Sequence, residues 1–507
     1  MTATRDRSTK PAPARSGVAR GIERAAHWMN QQPLLDYIAI RSIVLVLAFL
    51  GVIMVMSSSM TWSVIDDQTV WAQPVKQAIM VAIGLVGFWA ALKVSPERVR
   101  LWAPWIMLIS FVLLIAVLIP GIGTGRDSVG SQSWIALPGF QLQPSEVAKV
   151  AIAIWGASLL ANKDPRSLGW KNGFGPFILV ASLCIILIAL QGDIGMAIAF
   201  AIVVGFVLLF AGVSWVFIAV VAAFGAVAVF LLMAAGGFRS ARFHTFFDAF
   251  VGNFEDTQGA AFQSYQGFLS LADGSFFGVG LGQSRAKWFY LPEAKNDFIF
   301  AVIGEELGLW GGSLVILLFL GLGWFGFRTA RRAANQYQAL LAGTLTAGVV
   351  VQAFINIGYV VGLLPVTGIQ LPLISAGGTS AIITLTSMGL LASVARHEPD
   401  AVSSMQNHGR PLFDRALGIP EPKAPVQVAE RAEKRNDEQP DRFGKPVTVR
   451  PRPTKGERVV DKRRGAARET VKPERPRRAP AARSGRVPSN RSERRHNPRG
   501  GRNQDRR

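Results

Sequence analysis

Ten mostly apolar stretches, each near the length that crosses a membrane, divide the middle of this chain. They lie at 38–59, 75–94, 101–119, 142–161, 174–190, 194–212, 214–235, 298–326, 338–363 and 377–396. A helix needs about 20 apolar residues to span roughly 30 Å of hydrocarbon. The constraint is sharpest at Ile194–Ala235, 42 residues without a Lys, Arg, Asp or Glu. As one helix this block would be about 63 Å long. It has to fold back, and Gly212-Val213-Ser214 is the place to turn.

Charge separates three regions. The 507 residues carry a formal net charge of +21, although half of them are hydrophobic. Residues 400–507 hold 29 Lys and Arg against 14 Asp and Glu, a net of +15, while residues 37–399 hold 19 against 16. The reading is an all-α polytopic membrane domain over 37–398, a polar tail at 1–36 and a disordered basic tail at 399–507. The first apolar stretch serves as an uncleaved signal anchor. Cys184, the single cysteine, excludes an intramolecular disulfide.

Basic residues in short loops set the orientation. Lys93, Arg98, Arg100, Lys163, Arg166, Lys171, Arg328, Arg331 and Arg332 all fall on one side if both termini are cytoplasmic. The loop at 236–297 is then extracytoplasmic. It is rich in Gly and aromatics (Phe243, Phe246, Phe247, Phe250, Phe254, Phe262, Tyr265) and reads as ordered and amphipathic. The basic tail suits anionic lipid or an acidic protein partner. It lacks the interleaved aromatics or fold that nucleic-acid binding needs.

Ionisable groups inside such a domain are expensive and point to function. The long loop ends in Leu291-Pro292-Glu293-Ala294-Lys295-Asn296-Asp297, which delivers Asp297 to the mouth of the next helix. Pro144-Ser145-Glu146 opens a helix, with Lys149 on the face of Glu146. That pair either neutralises itself or offers Lys149 to an anionic group. Asp193 either caps the helix after it or lines a cavity. Glu305 and Glu306, about 12–14 Å along the helix from Asp297, serve either helix packing or the substrate path. The irregular run from Leu364 to Ser380 belongs beside the long loop. Gly278-Val279-Gly280-Leu281-Gly282 lacks the flanking strand of a nucleotide-binding turn. The five scattered His residues argue against a zinc site.

The motifs Leu291-Pro292-Glu293-Ala294, Asp297-Phe298-Ile299-Phe300-Ala301-Val302-Ile303-Gly304-Glu305-Glu306-Leu307-Gly308 and Leu371-Pro372-Leu373-Ile374-Ser375 with Gly377-Gly378-Thr379-Ser380 resemble the SEDS family (shape, elongation, division and sporulation) over about residues 37–398. The Ala after Pro-Glu and the Ile-Gly before the two Glu residues look more like its division members than its elongation members. The resemblance implies a peptidoglycan glycosyltransferase that polymerises lipid II at the plasma membrane during septal wall synthesis. It implies a catalytic carboxylate at Asp297. For substrate binding it implies Trp134, Glu146, Lys149, Asp193, Gln263, Gln266 and Ser375, to which the reading of the residues adds Ser145, Lys295, Gly377 and Gly378. It also implies a class B penicillin-binding protein as partner, with the division ring reached through the cytoplasmic tail.

One carboxylate suffices as a base here, because a diphosphate leaves without protonation. Its charge calls for Lys149 with Arg285, Lys287 or Lys295, or for a divalent cation such as Mg or Mn, and the sequence does not choose between them. No fixed cofactor or protein-held metal is expected. A lipid II flippase and a non-catalytic division scaffold stay open as alternatives.

Overall fold

The computed structural model describes residues 24, 27–65, 69–126, 130–138, 140–163, 173–234, 262–285, 291 and 294–422, all within the compact unit Met1–Glu438. Helices α1 (Leu35–Ile65), α2 (Ala72–Lys93) and α3 (Pro96–Ala116) come first. The strands β1 (Gly123–Thr124), β2 (Trp134–Leu137) and β3 (Phe140–Leu142) follow. Then come α4 (Pro144–Leu160), α5 (Phe174–Leu190), α6 (Ile194–Phe210), α7 (Trp215–Ala234), α8 (Phe262–Gly274), α9 (Ile299–Arg332), α10 (Gln336–Val360), α11 (Thr379–Arg396), α12 (Pro399–His408) and α13 (Leu412–Ala416). Six of these (α1, α2, α3, α9, α10 and α11) are long and apolar enough to cross a membrane, and α5 and α6 are shorter apolar helices.

Burial is inverted relative to a water-soluble bundle. Leu101, Trp105 and Ile109 on α3 and Trp310, Leu317 and Trp324 on α9 are exposed, whereas Glu305, Glu306, Lys149 and Arg396 are buried. Apolar surface faces outward and polar groups face each other, the arrangement a lipid solvent rewards. Close helix approach depends on small residues. A Cβ on Gly389 of α11 would lie 2.6 Å from the carbonyl oxygen of Phe88, and one on Gly84 of α2 would lie 2.6 Å from Leu385. These glycines let α2 and α11 meet nearly backbone to backbone.

α9 is broken. Gly308 has φ +66° and ψ −162°, which interrupts the hydrogen-bond ladder. The glycine-rich segment after α8 repairs the interruption. Val279 N–H donates to the carbonyl of Glu305 at 2.9 Å, Gly280 N–H to that of Glu306 at 3.0 Å, and Leu309 N–H to that of Ser275 at 3.0 Å. A Cβ on Gly278 would sit 2.2 Å from the carbonyl oxygen of Glu306. Gly278-Val279-Gly280 is thus a backbone-satisfying insert, which gives that motif a physical role.

Two expectations are corrected. The domain is not wholly helical, because β1, β2 and β3 form a three-stranded antiparallel sheet. Gln132 N–H binds the carbonyl of Gln191 at 2.8 Å and Thr379 Oγ1 binds that of Gln141 at 2.9 Å, which ties the sheet region to the turn between α5 and α6 and to the first residue of α11. The disorder assigned from residue 399 onward also starts too early. α12 and α13 fold there, with Asp414 fully buried. Residues 236–261, 286–290 and 292–293 of the long loop, Lys287 among them, and residues 423–507 of the tail lie outside the described residues.

Candidate active site

Three neutral side chains fix the backbone around Asp297. Asn356 Nδ2 lies 2.9 Å from the carbonyl oxygen of Asp297 and 2.8 Å from that of Ile369. Tyr359 Oη lies 3.0 Å and 2.7 Å from the same two carbonyls, and 2.5 Å from Asn356 Nδ2. An amide offers two hydrogens and a phenol one, so the pair supplies three donors for two carbonyls and the hydroxyl oxygen. Ser375 Oγ accepts from Leu371 N–H at 2.8 Å and donates to the carbonyl of Asn296 at 2.7 Å. Ala376 N–H binds the carbonyl of Lys295 at 3.0 Å. Phe298, the residue before α9, packs its ring against Tyr359. Three consecutive residues, Lys295, Asn296 and Asp297, are therefore held by α10 and by the loop before α11, and Asp297 itself is half-buried.

A second cluster adjoins this one through α10. Lys149 Nζ contacts Glu146 Oε1 at 3.0 Å and Gln352 Oε1 at 2.6 Å, and Gln352 Nε2 donates to the carbonyl of Gln370 at 3.1 Å. Lys149 and Glu146 are both buried, so the ammonium is committed to its neighbours. Gln352 and Asn356 are one turn apart, roughly 6 Å along one helix face. The Lys149 pair and the Asp297 backbone thus hang from adjacent turns of α10.

Asp193 precedes α6, where its Oδ1 accepts from Met196 N–H at 3.0 Å and its Oδ2 from Gln143 Nε2 at 3.2 Å. It is an N-cap, and it also ties α6 to the residue before α4. Burial pushes its carboxyl above the usual range against those hydrogen bonds, and the charge of Glu146 pushes the same way. Ser145 is fully buried, and its hydroxyl has no hydrogen-bond partner among the described residues.

The other residues singled out by sequence lie around this region. Trp134 sits in β2, half-buried, with its ring against Gly125. Gln263 and Gln266 are half-buried on α8, where a Cβ on Gly267 would touch Phe298. Gly377 approaches the side chain of Gln370, whose amide oxygen would lie 2.3 Å from a Cβ there, and Gly378 (φ +39°) precedes α11. Gln352, Asn356 and Tyr359 are absent from the sequence-derived set. Their spacing, i, i+4 and i+7, is the signal that marks them, a polar stripe on an otherwise apolar helix. Among the described residues no three His, Cys, Asp or Glu side chains converge.

These features define a multi-pass membrane protein of broken and glycine-packed helices with a polar site at one end of the bundle. Residues 38–400 match the family model described as cell cycle protein (FtsW, RodA and SpoVE), and the chain belongs to that family, the SEDS proteins. It is 40% identical over 428 residues to the probable peptidoglycan glycosyltransferase FtsW of Mycobacterium tuberculosis, covering 84% of this chain and 80% of that protein. It is 37% identical over 360 residues to the stage V sporulation protein E of Bacillus subtilis, covering 70% of this chain and 95% of that one. The crystal structure of the rod shape determining protein RodA of Thermus thermophilus shares the fold, with a TM-score of 0.52 at 23% identity, covering 71% of this chain and 96% of that one.

Proposed function

We propose that this chain is a peptidoglycan glycosyltransferase that polymerises lipid II in septal wall synthesis, with Asp297 as its base. The observation that carries the assignment of the base is the clamp on residues 295–297. An acid whose main chain is held by Asn356 and Tyr359, and whose two preceding residues are held by Ser375 and Ala376, is preorganised without a counter-charge being spent on its backbone. In the reaction a sugar hydroxyl gives its proton to the Asp297 carboxylate as its oxygen attacks the anomeric carbon of a second, lipid-linked sugar. The bond from that carbon to the diphosphate breaks, and the diphosphate leaves with the electron pair. Ser145, Glu146, Lys149, Asp193, Gln263, Gln266, Trp134, Lys295, Ser375, Gly377 and Gly378 are assigned to the walls around the sugar. No step is routed through a metal ion.

The chain works in the plasma membrane at the septum with both termini cytoplasmic. Its partner is a class B penicillin-binding protein, and its basic tail reaches division-ring proteins or anionic lipid. The test uses purified full-length protein, fluorescent lipid II and the transpeptidase with its active serine blocked. Wild type makes polymer, and folded Asp297→Ala makes none. Equal polymer from both overturns the assignment of the base, and transbilayer movement of lipid II without polymer makes the chain a flippase.

A further inference from the structure

Glu305 and Glu306 lie in the third turn of α9, each 1% exposed, and the reaction above does not use them. Adjacent carboxylates at such depth are costly unless hydrogen bonds satisfy them. Ser57 Oγ of α1 donates to both oxygens of Glu306, at 2.6 and 2.7 Å, and Ser284 N–H approaches Oε1 of Glu306 at 3.4 Å. Ser284 Oγ donates to Glu305 Oε2 at 2.7 Å, and Arg285 N–H donates to Glu305 Oε1 at 2.5 Å. The main-chain carbonyls of both Glu residues bind Val279 and Gly280 in addition.

Together these contacts fix the backbone at Ser284 and Arg285. Ser284 is fully buried, and Arg285 beside it is exposed. The main chain of a cation is thus anchored by a buried acid while its guanidinium is offered outward. Glu305 lies eight residues beyond Asp297, about 12 Å further along α9 into the bundle. A lipid-linked substrate has its hydrocarbon in the membrane, its diphosphate next and its sugar outermost. An acid at the head of α9 and a cation two turns further in repeat that order. Lys149, by contrast, is buried and already engaged by Glu146 and Gln352.

We propose that Arg285 contacts the diphosphate of the lipid-linked substrate, and that Glu305, braced by Glu306, Ser57 and Ser284, is the residue that positions it. This rests on the glycosyltransferase reading. A guanidinium suits the task because its planar fork binds phosphate oxygens two at a time.

The experiment measures steady-state polymerisation by the full chain with its partner, and inhibition by a polyprenyl diphosphate that carries no sugar. Arg285→Gln is expected to raise KM and the inhibition constant about tenfold each, with kcat within about twofold, and Arg285→Lys recovers part of the loss. Glu305→Gln moves both constants in the same direction, and the double variant Arg285→Gln/Glu305→Gln is no worse than Arg285→Gln alone. If Glu305→Gln fails to fold, Ser284→Ala, which loses one bond to Glu305, takes its place in the cycle. Unchanged KM and inhibition constant in Arg285→Gln overturn the proposal. Multiplicative losses in the double variant overturn the positioning role. Asp297→Asn run in parallel separates the two readings. It loses turnover with an unchanged inhibition constant if Asp297 is the base, whatever Arg285 does.

Discussion

At the Asp297 end of α9 the contacts that hold the structure are neutral donors on backbone carbonyls, from Asn356, Tyr359 and Ser375. At its Arg332 end they are ion pairs. Arg328 meets Asp36 at 2.9 Å, Arg332 meets Glu398 at 3.2 Å and Asp400 at 2.8 Å, and Arg396 meets Asp414 at 2.6 Å. Tyr37 Oη adds a hydrogen bond to Asp414 at 2.6 Å. Both ends bury polar groups, but ion pairs hold the second together, whereas the backbone around Asp297 is held by neutral donors. Full pairing serves a scaffold. A reacting carboxylate is better served when its backbone is fixed by neutral groups that bring no charge of their own to it.

The largest expected effect follows at the first end. Asp297→Asn should lower the polymerisation rate about 10²–10⁴-fold, with the thermal midpoint nearly unchanged. A large loss of stability instead would make Asp297 part of the scaffold and erase the contrast. The mirror experiment is Arg396→Ala. It leaves Asp414 and its Tyr37 partner buried without their cation, at a cost of about 3–5 kcal/mol. Thermal unfolding should show that cost, and the rate per folded molecule should not change.

A middle-sized effect tests the clamp. Asn356→Ala removes both amide hydrogens, and Tyr359 is left with one hydrogen for the carbonyls of Asp297 and Ile369. The expected cost is about 1–3 kcal/mol with a rate about tenfold lower, since a misplaced base loses more than its hydrogen bond. Tyr359→Phe, which removes one hydrogen, should lose less of both. Equal stability and rate in Asn356→Ala and wild type would show that the clamp holds nothing.

The apolar stretches are legible in the sequence because the membrane requires length and hydropathy that few other structures share. Asp297 is legible because an acid at the mouth of such a stretch stands out. Averaging hides the rest. The mean hydropathy of 338–363 conceals Gln352, Asn356 and Tyr359, although their spacing places them on one face. The mean charge of 400–507 conceals a short stretch, up to about residue 422, that buries Met405, Asp414 and Ile419. β1, β2 and β3 are two to four residues long, too short for strand alternation to register. They are tied to Gln191 and Thr379, which are distant in the chain. The repair of α9 at Gly308 by residues 275–280 is likewise non-local, so the glycines of that segment read only as a turn.

The smallest effect comes from the ion-paired end and depends on pH. Glu398, between α11 and α12, is 1% exposed. Its carboxyl is pushed up to about 8, chiefly by burial and then by the charge of Asp36, while Thr329, Arg332 and Arg328 pull it down. A carboxyl that holds its proton more tightly in the folded state than in the unfolded state favours folding most at low pH. Its contribution is full below about pH 4.5 and is lost progressively as pH rises to about 8. Glu398→Gln resembles the protonated form at every pH. Its thermal midpoint should match that of wild type near pH 5, rise above it as pH approaches 8, and keep a constant lead beyond. The growth of that lead between about pH 5 and pH 8 is what the two profiles measure. Parallel pH profiles would mean that the ion pairs hold Glu398 ionised throughout, and this end would then be as fully charge-compensated as its distances suggest.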